Sequence, residues 1–562
     1  MNALFEPKNS CKTCRKHCTL SCCYGIIILM TPALDQYLNE DPILKRMVDQ
    51  ELEEKDQQIA LLNEELRYLR AFIFGQKTEK TPKPDNGIQP LLPFPQEEVA
   101  PKSPVPEQEK SIEIKAHSRK RGRKPLPADL PVQEVVVDIP EADKTCACGC
   151  QKARIGEETA DKLEFTPARA HITRIVRPKY ACRSCEGTES YEPAVSIAPV
   201  PEQIIPKSFA TASLLAYIIT SKFVDALPFH RLSGMFSRQK IEISRGTMCN
   251  WAIKVARALK PINELFKEML MTSSCINADE SRMQVLKEPG RKATDQSWIW
   301  VFRGGGAGKT TVYFHYSPSR GGKVADEILA NYQGYIQTDG YSGYNFISSR
   351  PGQKHLACWA HVRRKFFDSI KAAGEKAKPG IAHEAVAIIN SLYKIEKEAR
   401  MNGLKPDEIQ SIRELQAKPI LESFKTKLET WKKTVVPKSL TGKAVTYTLN
   451  FWDKLMVYVE NGELHIDNNC AENTIRPFAV GRKNWLFADT VEGAAASATL
   501  YSIIETAKAN GIEPYWYLRF LLEKAPGLKS KEDFRNLIPQ NVDRQLITNM
   551  QQSHINAGIT TA

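Results

Sequence analysis

The chain has 562 residues, of which 42% are hydrophobic, so it is long and apolar enough to form cores in three or four domains. Lysine and arginine number 78 against 65 aspartate and glutamate, and the formal net charge of +13 is compatible with a polyanionic partner. No run of about 20 apolar residues occurs, which argues against a transmembrane protein. The fourteen cysteines lie mostly in two groups, a pattern more typical of metal ligands than of disulfides in a chain of this size.

Residues 1–40 form an uncertain N-terminal segment. Five cysteines precede a short apolar run at 26–29: Cys11, Cys14, Cys18, Cys22 and Cys23. A signal peptide is one interpretation, but the apolar run is short and no A-x-A-like cleavage site follows it. A small zinc site is a second. We favour a third, in which the segment is not a domain of its own and Met30 is the translation start.

The segment 41–75 has the heptad pattern of a coiled coil. Both seam positions are apolar with one polar break at Lys55: Leu52, Ile59, Leu66 and Ile73 fill one, and Val48, Leu62 and Leu69 the other. About three to four such heptads suffice for a homodimer or a higher oligomer. The alternative is an amphipathic helix that packs on its own domain.

Residues 76–125 are a Pro-rich and basic linker, with eight prolines between residues 82 and 106. It ends in five basic residues around Gly122: Arg119, Lys120, Arg121, Arg123 and Lys124. A flexible Arg-Gly-Arg segment can lie in the narrow minor groove of A·T-rich DNA, where the negative potential is enhanced. A solvated basic linker is the alternative.

Residues 126–195 are predicted to bind zinc. Cys182 and Cys185 have the C-x-x-C spacing of half a tetrahedral zinc site. The other half offers Cys146, Cys148 and Cys150, one thiol more than a Cys₄ site needs, and the sequence does not choose between them. The basic segment between the two halves alternates like a small β-rich ribbon, at Ile172, Ile175, Val176 and Tyr180.

Residues 196–265 are predicted to be helical in several short pieces. The turn at 242–244 and the helix that follows have helix-turn-helix spacing, with Ser244 as the N-cap residue and Arg245 at the helix start. A helical hairpin without DNA contacts is the alternative.

Residues 266–490 change to a strand-rich pattern. Strands are predicted at 276–285, 297–303, 310–316 and 334–339, and a helix at 324–331. Asp279 lies inside the first strand and Asp339 at the end of the fourth. A three-strand meander, a helix and a strand that ends in an acid are the element order of a ribonuclease-H-like core. Because the first and fourth strands are neighbours in that fold, the two carboxylates should converge, whereas Glu280 should point to the other face of its strand.

The glycine-rich turn at 304–309 is not a phosphate-binding loop. That motif requires a glycine five residues before Gly308, where this chain has Arg303. The turn also joins two strands instead of leading into a helix. We therefore exclude a nucleotide site at this position.

The stretch 465–487, HIDNNCAENTIRPFAVGRKNWLF, combines an acid with basic residues on a predicted helix. Asp467 is placed to cap the helix start, and Glu472 and Arg476 share one face. Pro477 is expected to end or kink the helix. An acid beside basic groups suits metal-assisted chemistry on a phosphate backbone. A surface helix with an ordinary Glu–Arg pair is the alternative.

Helices are also predicted on both sides of this stretch. Residues 362–450 are charged and helical, like an insertion between the second and third acids. The region 491–562 begins with a helix that ends before Gly511 and continues with another at 515–524.

Several long motifs in this order resemble transposases of the insertion sequence 66 family. They are ADES around Asp279, IQTDGYSGYN around Asp339, CWAHVRRKFFD around His361 and DNNCAENTIRPFAVGRKNWLF around Glu472. The heptad segment, FGQKTEK, GRKPLP, the double-cysteine element with RPKYAC and the C-terminal helices extend the resemblance over nearly the whole chain. The compressed CACGC spacing and the first 29 residues depart from it.

The resemblance implies a multidomain α/β protein. Its ribonuclease-H-like catalytic core carries a helical insertion and follows a coiled coil, a small zinc-binding element and a helical DNA-binding region. The family's catalytic Asp, Asp and Glu match Asp279, Asp339 and Glu472. Three such carboxylates could hold two Mg²⁺ or Mn²⁺ ions about 3.5–4 Å apart, which clamp the attacking and leaving oxygens of a phosphodiester. Water would free a 3′-OH at the element end, and that 3′-OH would attack target DNA.

The expected partner is DNA, both the terminal inverted repeats of the element and the target, in the bacterial cytoplasm. The candidate DNA-binding residues are Arg119, Arg121, Arg123, Lys124, Arg245, His361, Arg364, Arg476, Arg482 and Lys483. Two other functions stay open: a catalytically inert dimeric zinc-containing DNA-binding regulator, and a structural zinc protein of dimeric chromatin type. Metal-dependent nicking of DNA would separate the transposase from both.

Overall fold

The computed structural model describes residues 42–74, 170–181, 195–306, 308–374 and 378–560. These residues fall into two units, one within 1–81 and 207–542 and the other within 82–206 and 543–562. The predictions for residues 1–40, for the linker with its basic residues, and for the five cysteines of the zinc element lie outside the described residues. No helix in the described ranges is long and apolar enough to span a bilayer.

The elements of the described ranges are numbered in chain order. The α-helices are α1 (Pro42–Phe74), α2 (Ala212–Phe223), α3 (Phe229–Arg238), α4 (Arg245–Ala258), α5 (Lys260–Met271), α6 (Lys323–Ile328), α7 (Trp359–Ala373), α8 (Ile381–Met401), α9 (Pro406–Ile412), α10 (Lys418–Thr434), α11 (Leu440–Asn450), α12 (Trp452–Met456), α13 (Asn469–Trp485), α14 (Val491–Ala509), α15 (Pro514–Lys524), α16 (Lys531–Arg535) and α17 (Arg544–Thr560). The strands are β1 (Lys179–Ala181), β2 (Val195–Ile197), β3 (Cys275–Lys287), β4 (Gln296–Gly304), β5 (Thr311–Ser317), β6 (Gly334–Thr338), β7 (Gln353–Ala357) and β8 (Ala488–Thr490).

The first unit is built around a mixed sheet with the strand order β5-β4-β3-β6-β7. Strands β3, β4 and β5 form an antiparallel meander, whereas β3, β6 and β7 run parallel. The short strand β8 pairs with the far end of β3, where Val285 lies opposite Ala488. The four predicted strands are present, each within two residues of its predicted bounds. Strand β7 is not among the predicted strands, because its sequence QKHLA is half polar and leads almost directly into a helix.

Helix α14 covers the open edge of the sheet at β5. The backbone N–H groups of Val312 and Phe314 donate to the hydroxyls of Thr506 (3.0 Å) and Ser502 (2.8 Å). An uncovered strand edge would present such groups to other chains, so hydroxyl-bearing helix residues take the place of a further strand. The helix is followed by Gly511 with φ +73°, the predicted helix stop.

The predicted helical insertion is present and has a core of its own. It is slightly longer than 362–450, since α7 begins three residues earlier and α12 ends at Met456. Large rings fill its centre: the Trp359 ring lies 6.3 Å from Phe424 and 6.1 Å from Trp452, measured between centroids. These aromatic side chains explain why a charged segment still folds into a packed body.

Arg413 links the helical insertion to the segment that precedes α13 through hydrogen bonds and a buried ion pair. Its side chain is fully buried, and its guanidinium donates to both carboxylate oxygens of Glu396 at 2.7 Å. It also donates to the backbone carbonyls of Tyr458, Asn461 and Leu464, at 2.7, 2.6 and 2.8 Å. All five guanidinium N–H groups therefore have an acceptor.

Helix α1 is continuous and presents two different faces. Leu61, Glu64 and Tyr68 are half-buried, and Glu64 accepts a hydrogen bond from the backbone N–H of Leu440 at 3.3 Å. The helix also packs along α7. The predicted seam faces elsewhere and stays exposed: Leu52 (57%), Ile59 (55%), Leu62 (60%), Leu66 (47%), Leu69 (50%) and Ile73 (62%). One face of α1 therefore packs on its own domain, as the alternative predicted. The described residues of the heptad seam lie on another face and are exposed.

Helices α2 to α5 occupy the predicted helix-turn-helix region. Ser244 is the N-cap residue of α4, and its Oγ accepts a hydrogen bond from the N–H of Thr247 at 3.1 Å, as predicted. Arg245, the first residue of α4, is exposed. The local sequence is sufficient for this helix start because the cap is made by a neighbouring side chain.

In the second unit, β1 and β2 form an antiparallel pair with Tyr180 opposite Ser196. Within the described part of the predicted ribbon before Cys182, residues 170–181, a strand is present at 179–181. Ile172 and Val176 lie in irregular backbone and are 93% and 74% exposed. Exposure does not distinguish them from the strand residue Tyr180, which is 69% exposed.

Candidate active site

Asp279 and Asp339 lie at the same end of two neighbouring parallel strands. Strand β3 pairs with β6 as far as Asn277 opposite Gln337. Two residues farther along each chain come Asp279, inside β3, and Asp339, the first residue after β6. Asp339 Oδ1 accepts a hydrogen bond from the backbone N–H of Tyr341 at 2.9 Å, which stabilises the turn after the strand. The register of the parallel pair therefore brings the two acids together.

The Asp279 carboxyl lies in surroundings that oppose ionisation. Burial, followed by the negative charges of Glu280, Asp339 and Glu472, raises the pKa of Asp279 to about 8. A hydrogen bond from the backbone N–H of Glu280 to Oδ1, at 2.8 Å, acts in the opposite direction. Because Asp339 and Glu472 both act on this carboxyl, the three predicted acids belong to one electrostatic cluster.

Helix α13 carries Glu472 in its first turn and brings it next to α7. Glu472 Oε1 lies 3.8 Å from His361 Nδ1, and Oε2 lies 3.7 Å from an Nη atom of Arg364. Burial lowers the pKa of His361, while the negative charges of Glu472 and Asp339 act to raise it. Two residues predicted to bind DNA are thus direct neighbours of the third acid.

The helix itself differs from its prediction at two positions. Helix α13 begins at Asn469 with Asn468 as the N-cap residue, one position after the predicted Asp467. Asp467 still accepts a hydrogen bond from the backbone N–H of Asn469 at 3.2 Å, from just outside the helix. The helix continues through Pro477 to Trp485 instead of ending. Its packing on β3 and β4 holds both halves in place, which outweighs the one backbone hydrogen bond that a proline removes.

A buried amide network ties the start of α13 to the two acid-bearing strands. Asn468 is fully buried; its side-chain amide donates to the carbonyl of Ala278 at 2.9 Å, and its backbone N–H to Cys358 Sγ at 3.2 Å. The side-chain amide of Asn277 donates to Gln337 Oε1 at 2.7 Å and to Asn468 Oδ1 at 3.1 Å. This network was not predicted. The available signal is a polar residue directly after a buried isoleucine in each strand, Asn277 after Ile276 and Gln337 after Ile336.

Three further acids, Glu280, Glu492 and Glu505, lie in different surroundings. Glu280 is 1% exposed at its side chain and accepts hydrogen bonds from Arg320 (2.7 and 2.9 Å) and Tyr344 (2.9 Å). Its charge still contributes to the raised pKa of Asp279. Glu505 is paired with Lys508 on α14, and Glu492 is exposed at the start of that helix.

The basic residues of α13 divide into two kinds. Arg476 and Lys483 are exposed. Arg482 instead donates to the backbone carbonyl of Arg282 and to Ser281 Oγ (3.4 Å), so it is held against β3. Arg482 was predicted to contact DNA, and the structure gives it a contact that also positions the helix.

One group of mixed metal donors also meets at Glu472. Within the described ranges, three potential metal ligands lie close together. The ligand atoms of Cys358, His361 and Glu472 are all within 4.8 Å of one another. Cys358 is not among the predicted site residues, although the Cys-x-x-His spacing of CWAH is a recognised metal-ligand signal.

Comparisons with known proteins match most of the chain to one family. Residues 207–496 match the model described as "Transposase IS66 family", and residues 143–186 match "zinc-finger binding domain of transposase IS66". Residues 502–540 match "IS66 C-terminal element", and residues 61–135 match "Transposase C of IS166 homeodomain".

Curated relatives come from Sinorhizobium fredii. The uncharacterized protein y4jD is 31% identical over 88% of this chain and 96% of its own length. The uncharacterized protein y4qI is 29% identical over 86% of this chain and 89% of its own length. Both similarities extend over nearly the full length of each protein.

Proposed function

The chain belongs to the insertion sequence 66 (IS66) transposase family, and from this premise we propose that it cuts DNA at element ends and that each freed 3′-OH then attacks a phosphodiester of target DNA, which joins the element end to the target and releases a target 3′-OH. The proposal rests on the convergence of three acids: the β3–β6 register places Asp279 and Asp339 at the same end of neighbouring strands, and the charge of Glu472, in the first turn of α13, acts on Asp279. Clustered, partly buried acids destabilise a fold. A protein that only binds DNA has no chemical need for them.

The strand arrangement supports a ribonuclease-H-like core. An antiparallel meander is followed, across α6, by a strand that pairs in parallel with the first strand of the meander. In this arrangement the first acid lies inside the first strand and the second directly after the fourth. The helical insertion then separates the second acid from Glu472.

Asp279, Asp339 and Glu472 would hold the divalent cations of this reaction, and their chemistry fits that role. Carboxylate oxygens are the hard donors that Mg²⁺ and Mn²⁺ take. The raised pKa of Asp279 reflects its burial first and then the negative charges of Glu280, Asp339 and Glu472, which bound cations would compensate. Bound divalent cations supply Lewis-acid stabilisation of charge on the phosphate and a more nucleophilic oxygen at neutral pH.

The chain's own residues orient the acids and the DNA strand. The hydrogen bonds of Asn468 hold the first turn of α13 beside β3, so the backbone of Glu472 has a fixed position relative to that strand. Arg364 places positive charge next to Glu472, where it can contact a phosphate oxygen of the strand to be cut. Arg476 and Lys483 extend that positive charge along the exposed side of α13.

Nicking distinguishes this function from that of an inert DNA-binding regulator. Full-length protein is incubated with a supercoiled plasmid that carries the element ends, with Mg²⁺ or with a chelator. We expect nicked plasmid only when the divalent cation is present. Binding of the element ends without any nicking, in Mg²⁺ or Mn²⁺, would support the regulator instead.

A structural zinc ion in the cysteine element is supported by the family match over residues 143–186. Replacing both Cys182 and Cys185 by Ser should lower the zinc content of the full-length protein by about one ion per chain, the number that a Cys₄ site holds. Elemental analysis measures the change, and Cys249→Ser is the matched control. An unchanged zinc content would show that these thiols are not ligands.

Single Ser substitutions at Cys146, Cys148 and Cys150 extend this test. Two of them should lower the zinc content, and the third should have no effect because a tetrahedral site needs only two thiols from this half.

We further propose that α1 forms a coiled coil between two copies of the chain. Its seam is exposed, and it lies on a different face from the stripe that contacts α7. Placing Asp at both Leu62 and Leu66 should bury charge in the seam and convert the dimer to a monomer. Light scattering measures the molar mass.

Gln50→Asp combined with Gln57→Asp is the matched control, because it adds the same charge at exposed heptad positions on the side of the helix away from the seam. This pair should leave the molar mass unchanged. If the seam variant is also unchanged in mass, another surface holds the oligomer together.

A further inference from the structure

Two unpaired buried atoms face each other between α7 and α13. His361 Nδ1 and Glu472 Oε1 lie 3.8 Å apart, and neither has a hydrogen-bond partner within the part of the chain that the structure describes. Leaving a buried polar atom unpaired costs free energy. A cation held between the two atoms would satisfy both.

A third donor completes the set. Cys358 is 1% exposed, and its Sγ lies within 4.8 Å of the ligand atoms of His361 and Glu472. This sulfur accepts hydrogen bonds from the backbone N–H groups of Asn468 (3.2 Å) and His361. Burial raises the pKa of the Cys358 thiol to about 12, whereas these backbone N–H donors act in the opposite direction because they stabilise negative charge on the sulfur.

The local fold explains the convergence. Cys358 is the N-cap residue of α7, and His361 lies in the first turn of the same helix, so the Cys-x-x-His spacing presents both donors at one helix end. Glu472 occupies the first turn of α13. Hydrogen bonds from Asn468 to Cys358 and to Ala278 hold these two helix starts against each other and against β3.

We propose that Cys358, His361 and Glu472 form a second metal site, which takes Zn²⁺ or a chemically similar transition-metal ion. One sulfur, one imidazole nitrogen and one carboxylate oxygen match the ligand types of zinc, with a fourth position left for water. Around one zinc ion such atoms are about 3.3–3.8 Å apart, so shifts of about an ångström complete the site. Magnesium prefers an all-oxygen shell and does not take this set.

The consequence rests on the function proposed for Glu472. Zinc that binds Oε1 of Glu472 together with Cys358 and His361 withdraws this carboxylate from Asp279 and Asp339. The Cys358 thiol loses its proton to solvent as the zinc–sulfur bond forms. Zinc at this site therefore inhibits Mg²⁺-dependent nicking, and it gives His361 a role other than DNA contact.

Zinc content of the full-length protein tests the site without any DNA. Wild type, Cys358→Ser, His361→Gln and the control Cys249→Ser are dialysed against Zn²⁺ and analysed for bound metal. We expect both site variants to hold about one zinc ion per chain less than wild type, and the control to equal wild type. Co²⁺-loaded wild type should show a thiolate-to-cobalt absorption band that is weaker by about one fifth in Cys358→Ser, because the Cys₄ element supplies the other four thiolates.

Equal zinc content in wild type and His361→Gln would overturn the proposal, even if the zinc content of Cys358→Ser is lower. The decision rests on His361→Gln because Cys358 is buried, and unfolding of its variant would also release zinc. The same preparations are then assayed for nicking in Mg²⁺ with and without added Zn²⁺. Zinc should inhibit wild type and Cys249→Ser more strongly than the two site variants. If wild type nicks no DNA even without added Zn²⁺, the transposase proposal fails while the zinc count still decides the metal site.

Discussion

Asp279→Asn, Asp339→Asn and Glu472→Gln should each reduce strand cleavage by about three orders of magnitude or more, while binding to element ends stays nearly intact. Each change keeps the shape of the side chain but removes a charge that would hold a cation, and the loss of such preorganised electrostatics is costly to catalysis. Cleavage is measured by nicking of a plasmid with element ends, and binding by gel shift with the same DNA.

Glu492→Gln and Glu505→Gln are the controls, since both acids lie on α14 with other surroundings. They should retain at least partial activity. Glu280→Gln should do so too, although its carboxylate is buried and paired with Arg320, so its thermal stability must be checked beside it. Nicking that survives Glu472→Gln but fails in Glu492→Gln or Glu505→Gln would identify a different third acid. Nicking that survives in both Asp279→Asn and Asp339→Asn would reject the mechanism.

Arg413→Met should lower the free energy of unfolding by about 3–5 kcal/mol. The substitution leaves the Glu396 carboxylate buried with only the longer contact to Arg400 at 3.8 Å, and breaking a buried ion pair from one side has a cost of this size. It also removes one donor from each of three backbone carbonyls before α13. Urea denaturation followed by circular dichroism measures the loss.

The double variant Arg413→Met/Glu396→Met is the sharper comparison. Removing both charges takes away the unpaired carboxylate, so the double variant should be more stable than Arg413→Met alone. Lys394→Met, which breaks the exposed pair with Glu398, should change stability by less than about 0.5 kcal/mol. A single variant as stable as wild type would show that the Arg413 pair does not hold the insertion in place.

Local sequence was enough for the elements that carry the first two acids. Alternating apolar residues predict β3 and β6, and the position of Asp279 within one strand and of Asp339 at the end of the other can be read directly from spacing. The Ser244 cap was also predictable, because the donor and the acceptor are three residues apart. The third acid was placed on a helix correctly. The predicted start at Asp467 was one position too early, since Asn468 is the N-cap residue and is held by hydrogen bonds to Ala278 and Cys358. Of the two outcomes predicted at Pro477, an end or a kink, the end was wrong, because the helix continues along β3 and β4.

By itself, the sequence predicted most of the order of elements, the heptad pattern of α1 and the positions of three candidate acids on two strands and a helix, since each depends on spacing within a short segment. Only the tertiary structure decided which residues surround Glu472. His361 and Cys358 precede it by more than a hundred residues along the chain, and Asn468 reaches Ala278 on β3. The burial of Arg413 and the packing of α14 over the edge of β5 were likewise not predicted from the sequence. Periodicity reports which side of an element is buried, whereas the partner on that side is selected by packing between distant segments.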